Sequence, residues 1–151
     1  MKVSEVMTKE IESCGLADDL TKAAEIMWKK DCGIVPVTDA ENRVVGVVTD
    51  RDIAIAAASR DRKTSEIRIG EMSFRPLKTC VPDDDLKNAL RRMRKYKLRR
   101  LCVVNEDGTL AGVLSVADVL RAAHKKSIRK LLFSTLDAIA RPAPIVLEQI
   151  D

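Results

Sequence analysis

The sequence carries the same short pattern twice, at a constant separation of 66 residues. Each copy reads as an apolar strand that ends at a hydroxyl residue, with a carboxylate three positions later, where a helix begins. The matched residues are Gly46, Thr49 and Asp52 in the first copy, and Gly112, Ser115 and Asp118 in the second. One offset shared by three residue types indicates an internal duplication, which has to be recognised before any fold is assigned.

The duplication divides the chain into repeats at residues 1–59 and 65–124, joined by a polar link, with a tail at residues 125–151. Only the start departs from the offset. Met7-Thr8 matches Met72-Ser73 at a separation of 65, which predicts one inserted residue soon afterwards. A unit of about 60 residues buries only ~60% of its unfolded surface. The two copies are therefore expected to pack face to face and share a core.

Composition sets limits on the function. The 151 residues are 46% apolar and 33% charged, which is typical of one globular unit and unlike a disordered chain. Aromatic residues make up only 3%, so the core must be aliphatic and few rings remain for stacking on nucleic-acid bases. The net charge of +4 suits an anionic ligand without requiring nucleic acid, whose binding is not favoured.

The cysteines and the N-terminus suggest a cytoplasmic protein. Cys14, Cys32, Cys80 and Cys102 lack zinc-site spacing and are interpreted as reduced thiols, so no metal site is predicted. The first residues lack the apolar core of a signal peptide. No uncharged run approaches the ~20 residues of a membrane span, so no membrane association is expected.

Apolar spacing predicts the elements of the first repeat. A brief strand ends at Cys14, and a helix spans residues 20–30, capped by Asp18 or Asp19 and ended by Gly33. Strands at 34–37 and 44–48 form an antiparallel hairpin, in which Pro36 indicates a strand start or an edge. The alanine-rich segment 50–59 predicts a buried helix.

The second repeat predicts the same order of elements. Residues 86–100 form its first helix, 101–104 and 110–114 its hairpin, and 116–123 its last helix. Each repeat is therefore β-α-β-β-α, and the fold class is α+β. The tail begins with an amphipathic helix from residue 127, followed by an extended path at 141–144. Its apolar face is expected to pack on its own repeat or on a second subunit, with a client protein as the alternative.

These motifs resemble the CBS domain, and the tandem copies resemble a Bateman module over residues 1–124. The resemblance rests on the segments Gly46 to Asp52 and Gly112 to Asp118, with which the two repeats pass from strand to last helix, and on Ile34-Val35-Pro36-Val37. It implies a pseudo-twofold pair of repeats with two clefts between them. In this family the clefts commonly bind AMP, ADP, ATP or S-adenosylmethionine. The modules often form homodimers, and they regulate a partner rather than catalyse.

The repeated hydroxyl–carboxylate pairs allow two interpretations. Thr49 with Asp52, and Ser115 with Asp118, have the spacing of helix N-caps, which is the commoner role of such pairs. The same geometry suits a nucleotide, because helix N-termini attract phosphate and a carboxylate accepts hydrogen bonds from ribose hydroxyls. No glycine-rich loop of the P-loop type is present.

The candidate binding residues differ between the two copies. Strand ends would contact the adenine, through Ile34 and Val35 in the first copy and Leu101 and Cys102 in the second. Arg51 would meet phosphate in the first cleft, opposed by Asp31 and Asp50. Arg99 and Arg100, with Lys97, would neutralise phosphate in the second. The two clefts are therefore expected to be unequal, with neither of them empty.

The sequence thus predicts a stand-alone regulatory module that senses an adenosine-containing ligand and requires no cofactor. A homodimer and an unidentified client protein are its expected partners. The first alternative is a structural dimerisation module with vestigial clefts. The second is a weak nucleic-acid binder that uses the basic run at residues 86–100. An enzyme is not expected, because no nucleophile–base pair or metal cluster is evident.

Overall fold

The computed structural model describes residues 1–142 and contains two three-stranded sheets. The first repeat comprises β1 (Cys14–Gly15), α1 (Leu20–Lys30), β2 (Ile34–Thr38), β3 (Val44–Thr49) and α2 (Asp50–Arg60). The second comprises β4 (Thr79–Cys80), α3 (Leu86–Tyr96), β5 (Arg100–Val104), β6 (Leu110–Ser115) and α4 (Val116–Ala122). The last helix is α5 (Lys126–Ala140). The predicted α+β class and the β-α-β-β-α order are confirmed.

The residues that end the helices differ from the predictions. Helix α1 spans residues 20–30 as predicted, with the Asp19 carboxylate accepting the Lys22 N–H, but the residue that ends it is Asp31, in the left-handed region at φ 49°. Helix α3 likewise ends before Lys97, at φ 53°, so the prediction of a helix to residue 100 is wrong. In both repeats a left-handed residue, and not Gly33, turns the chain from helix to strand.

Each sheet pairs a short parallel strand with an antiparallel hairpin, so that β2 and β5 lie in the middle. Pro36 is therefore neither at a strand start nor in an outer strand. It is tolerated because β1 pairs only with Val37 and Thr38, which leaves Pro36 facing no strand on that side. The predicted hairpins are confirmed in both repeats.

Helix α2 is less buried than its alanine-rich sequence predicts. Only Ile53 and Ala56 are buried, while the Ile55 side chain is 53% exposed. The prediction of a buried helix is wrong because apolar residues lie all round α2 and only one side of it faces the sheet. No helix within residues 1–142 is both long and apolar enough to cross a bilayer.

The segment that precedes each repeat completes the core of the other repeat. Met1 and Val3 hydrogen-bond across to the second repeat, and the buried Val3 side chain joins the core formed by β4–β6, α3, α4 and α5. Ile67 and Ile69 do the same for the first repeat. The bonds correspond one to one. Leu86 N–H to Met1 O (2.9 Å) and Val3 N–H to Asp84 O (2.9 Å) match Leu20 N–H to Ile67 O (3.0 Å) and Ile69 N–H to Asp18 O (2.8 Å).

This correspondence keeps the offset at 66 from the start of the chain. The 3-10 turns Val3–Glu5 and Ile69–Glu71 are equivalent at that offset, so the predicted one-residue insertion is absent. The structural counterpart of Thr8 is then Phe74, and not Ser73. Matching methionines suggested the shifted register, but the backbone hydrogen bonds decide against it.

A pseudo-twofold axis passes between the two hairpins. Arg43 and Thr109, which are equivalent positions, pair with each other in an isolated bridge. The bonds Val44 N–H to Gly108 O (3.1 Å) and Leu110 N–H to Asn42 O (3.0 Å) are related by the same symmetry. The expected pseudo-twofold pair of repeats is therefore confirmed.

Helix α5 packs on its own repeat. Ile128 and Leu132 are buried in the second core, and the Thr135 hydroxyl donates to Leu131 O at 2.8 Å. Helix α5 contacts α3 and α4, which agrees with the first of the expected packing sites. Arg141 is extended as predicted, while residues 143 and 144 of the expected extended path lie outside the described residues.

Two equivalent glycines give a test of the close approaches between segments. A Cβ at Gly112 would lie 2.5 Å from the backbone oxygen of Thr8, whereas one at Gly46 would meet the Phe74 ring at 2.7 Å. We expect Gly112→Ala to lower the free energy of unfolding by ~1–3 kcal/mol. The loss for Gly46→Ala should be smaller, because a ring can turn aside more easily than a paired backbone. Urea unfolding of both variants measures this difference, and an equal or reversed order would contradict it.

Candidate ligand-binding site

A cavity of about 730 Å³ lies between the two repeats. Its volume is within the ~300–1,000 Å³ of typical small-molecule sites. Four segments of chain form its walls, together with single residues of β3 and β5. The segments are 31–34 before and at the start of β2, 49–52 at the start of α2, the connecting residues 73 and 75–78, and 97–100 before and at the start of β5; Val47 and Cys102 complete the lining.

The start of α2 is held rigidly by its cap. The Thr49 hydroxyl accepts the Asp52 N–H at 3.1 Å, and Asp52 Oδ2 accepts the Thr49 N–H at 2.9 Å. The capping interpretation of this pair is therefore what the structure shows. Asp52 remains partly exposed and lines the cavity, and only its Oδ2 hydrogen-bonds to another of the described residues.

The lining carries an excess of positive charge. Six of its residues are cationic and three are aspartates. The cations are Arg51, Arg75, Lys78, Lys97, Arg99 and Arg100; the aspartates are Asp31, Asp50 and Asp52. Within residues 1–142, none of these six side chains takes part in an ion pair. Their charges are thus left uncompensated at short range, which favours an anionic ligand.

One of these cations is held by an aromatic ring. The Lys78 ammonium lies 4.6 Å from the centroid of the Tyr96 ring, within the range of a cation–π interaction. Tyr96 is the last residue of α3, and Lys78 precedes β4. This contact steadies the end of the connecting segment 73–78 beside the cavity.

Six of the ten predicted binding residues line this cavity: Ile34, Thr49, Arg51, Asp52, Arg99 and Arg100. Val35 and Leu101 do not, because both are buried in the sheet cores at 0% and 1% exposure. Strand alternation explains this, since their neighbours Ile34 and Cys102 face the cavity instead. The remaining two, Ser115 and Asp118, lie at the start of α4, outside this lining.

The Asp118 carboxylate is surrounded by groups of its own chain. Oδ2 accepts the Ser115 N–H at 2.8 Å and the Ser115 hydroxyl at 2.6 Å. Oδ1 accepts the Thr8 hydroxyl at 3.4 Å and forms a salt bridge with Arg121. Asp118 is only 7% exposed, in contrast to the equivalent Asp52.

The charged groups that the sequence assigned to separate clefts lie together. Asp31 and Asp50, expected to oppose phosphate in the first cleft, line the same cavity as Arg99 and Arg100. The leading residues of β2 and β5, Ile34 and Arg100, both line this cavity. The inequality between the clefts therefore comes from other residues.

Sequence reasoning missed the connecting residues Ser73, Arg75, Pro76, Leu77 and Lys78. A signal for them exists in the comparison of the two copies. At the offset of 66, Arg75-Pro76-Leu77-Lys78 replaces Lys9-Glu10-Ile11-Glu12, so a segment of charge +2 replaces one of charge −1.

Two cysteines, Cys32 and Cys102, lie at the cavity. Burial raises the pKa of Cys102 to about 12, so its thiol stays protonated, while Cys32 is partly exposed. Among residues 1–142, no group of three or more His, Cys, Asp and Glu side chains could hold a metal ion.

Comparison with known sequences identifies the repeats. The CBS domain model matches residues 3–59 and 69–125, which together make up more than half of the chain. An uncharacterised 17.7 kDa protein of Acidianus ambivalens is 31% identical over 121 residues, covering 80% of this chain and 72% of that one. Homoserine O-acetyltransferase of Methanococcus vannielii is 26% identical over 117 residues, but the match spans 78% of this chain and only 24% of the enzyme.

Solved structures share the same fold. The CBS domain protein PAE2072 of Pyrobaculum aerophilum, complexed with AMP, is 26% identical, with a TM-score of 0.73 over 89% of this chain and 99% of its own. The CBS domain pair of protein MJ0100, in complex with 5'-methylthioadenosine and S-adenosyl-L-methionine, has a TM-score of 0.70 at 24% identity, over 82% of this chain and 95% of its own. Sequence model, repeat order and tertiary structure agree: the chain belongs to the CBS domain family and carries two copies of the domain.

Proposed function

We propose that the chain is a regulatory module that binds an adenosine-containing nucleotide in the cavity between its repeats. The observation that carries the proposal is a 730 Å³ cavity lined by a partly exposed aspartate and by six cations that form no ion pair within residues 1–142. The AMP complex of PAE2072 supports an adenine ligand for this fold.

The lining offers a partner for each part of such a ligand. The Asp52 carboxylate accepts hydrogen bonds from ribose hydroxyls, while the apolar side chains of Ile34 and Val47 contact the base. The phosphates lie toward the arginines, whose planar guanidinium groups bind phosphate oxygens in pairs. The N-terminal turn of α2 adds a favourable dipole.

The charge balance favours more than one phosphate. Six cations against three aspartates leave three positive charges at the cavity. A nucleoside triphosphate compensates this excess better than a monophosphate does, and better than S-adenosylmethionine, whose sulfonium and ammonium groups outnumber its one carboxylate. Binding bridges the two repeats and thereby stabilises one arrangement of them, and a ligand shifts such an equilibrium only by its differential affinity for the two states. The proposed role is therefore sensing for a client protein, without catalysis.

We expect the affinity to rise from adenosine through AMP to ATP, and to fall as salt is added. Arg75→Ala should weaken ATP binding about tenfold, the equivalent of ~1.4 kcal/mol, since one charge-assisted contact is lost. Titration calorimetry measures both effects. Adenosine binding should change little in this variant.

The matched control is Arg91→Ala. Arg91 is an exposed arginine of α3 that bonds to Asn88 and does not line the cavity, so its loss should leave ATP binding unchanged. Equal weakening by both variants would show that overall charge, and not the cavity, attracts ATP. No binding of any adenosine compound to the folded protein would refute the proposed function.

Thiol labelling gives an independent readout of occupancy. Burial raises the pKa of Cys14 to about 11 and that of Cys80 and Cys102 to about 12, so these thiols carry even less thiolate near pH 8 than exposed cysteines do. Only Cys32 should react rapidly in the folded protein. Because Cys32 lines the cavity, saturating ATP should slow its reaction severalfold. An unchanged rate under saturating ATP would place the ligand elsewhere.

A homodimer is the second part of the proposal. Helices α1 and α2 pack together and leave Trp28 90% exposed and Ile55 53% exposed. In the second repeat, α5 packs on the equivalent helices α3 and α4. The apolar side chains of α1 and α2 are therefore proposed to be buried against a second copy. The same observation supports the alternative of a structural dimerisation module, should the cavity bind no ligand.

We expect Trp28→Glu to convert a dimer into a monomer, because a buried unpaired charge is costly at an apolar interface. Phe133→Glu is the control, since Phe133 is 75% exposed on α5. Light scattering coupled to size-exclusion chromatography measures the mass of each. Dissociation by Phe133→Glu alone would instead assign dimer formation to the tail.

A further inference from the structure

The two clefts related by the pseudo-twofold axis are built differently, and the difference lies in the segments that precede β1 and β4. Before β1, Thr8 pairs with the β6 backbone. Its N–H donates to Val113 O at 2.9 Å, and the Val113 N–H donates to Thr8 O at 3.0 Å. The pairing places the Thr8 carbonyl directly over Gly112.

The equivalent position before β4 is occupied by Phe74, and within residues 1–142 its backbone forms no bridge to β3. Instead, the Phe74 ring lies over Gly46, where a Cβ would come within 2.7 Å of Cδ1 and 2.8 Å of Cγ. Among residues 1–142, the bridge between Thr8 and Val113 has no counterpart between Phe74 and Val47. Val47, the equivalent of Val113, lines the cavity. The ring thus holds the connecting segment away from β3, and the space left there belongs to the cavity.

The carboxylates at the starts of α2 and α4 also differ, in their exposure and in their hydrogen-bond partners. Asp52 is partly exposed and lines the cavity, with Oδ2 engaged in the cap. Asp118 is 7% exposed, and both of its oxygens have partners. Oδ2 accepts a hydrogen bond from Ser115, and Oδ1 interacts with Thr8 and Arg121. A ribose at the second cleft would have to displace a hydroxyl and a guanidinium from this buried carboxylate.

Charge reinforces the difference. Helix α2 carries the Arg51 guanidinium beside Asp50 next to its cap, where α4 carries the uncharged Val116 and Ala117. The segment at the cavity carries Arg75 and Lys78, whereas its equivalent carries one lysine and two glutamates. A phosphate group therefore meets attraction on one side of the axis and fewer cations on the other.

We infer that each chain binds a single nucleotide, in the cavity that Phe74 holds open, and that pairing of Thr8 with β6 and compensation of Asp118 close the equivalent cleft. This inference rests on the proposed function and adds its stoichiometry and the residues that set it. It replaces the expectation that neither cleft is empty.

Native mass spectrometry with ATP counts the ligands per chain, and calorimetry on two equivalent variants locates them. One ATP per chain is expected. Asp52→Asn keeps an oxygen for the cap but loses the charge, and should weaken ATP binding about tenfold. Asp118→Asn makes the same change at the equivalent position, and should leave the affinity unchanged. Two ATP molecules per chain, or weakening by Asp118→Asn in the folded protein, would overturn the inference.

Phe74→Thr tests the role of the Phe74 ring directly, because it places at position 74 the residue found at position 8. ATP affinity should fall at least tenfold as the connecting segment closes on β3, while circular dichroism shows a folded protein. Retained affinity in a folded variant would refute the role of the ring. No ATP binding to the unmodified chain would refute the proposed function itself, an outcome distinct from a count of two.

Discussion

The exchange of segments between the two repeats is the constraint on which the rest of the structure depends. The buried side chains of Ile67 and Ile69 fill the first core, and Val3 fills the second, although each precedes the other repeat in sequence. Backbone hydrogen bonds fix these segments beside the starts of α1 and α3. Neither repeat has a complete core without the chain that leads into its neighbour, so the pair folds as one unit.

The same exchange creates the candidate site. Because residues 73–78 leave the first repeat and enter β4, they must pass the end of the cleft between the two sheets. Their cationic side chains join Arg51 from α2 and the two arginines before and at the start of β5, Arg99 and Arg100, so one cavity collects charge from both repeats. The two equivalent helix caps then have different surroundings. The cap of α2 lines the cavity, whereas the Asp118 carboxylate in the cap of α4 forms a salt bridge with Arg121.

Most of the fold could be predicted from the sequence, because local patterns decide it. The spacing of Leu20, Ala23 and Met27 predicted α1, and the duplication predicted every element of the second repeat. Errors occurred at helix ends, where a single backbone angle matters. Asp31 ends α1 in the left-handed conformation, where Gly33 was expected to do so, and Lys97 ends α3, which was expected to run to residue 100. The exposure of α2 was also missed, since composition does not reveal which side of a helix meets a neighbour.

The sequence by itself determined the duplication, the order of strands and helices, the caps at Thr49 and Ser115, and membership in a family of known architecture. Only the tertiary structure decided which residues share a cavity. It brought Arg51, Arg75 and Arg100 to one place, buried Leu101 and Val35, and separated Asp118 from Asp52. The physical reason is that caps and periodicity act within a few residues, whereas a cavity depends on segments far apart in the chain. At the two equivalent glycines, the Phe74 ring lies over Gly46 and the Thr8 carbonyl lies over Gly112, so two similar sequences pack differently at equivalent positions.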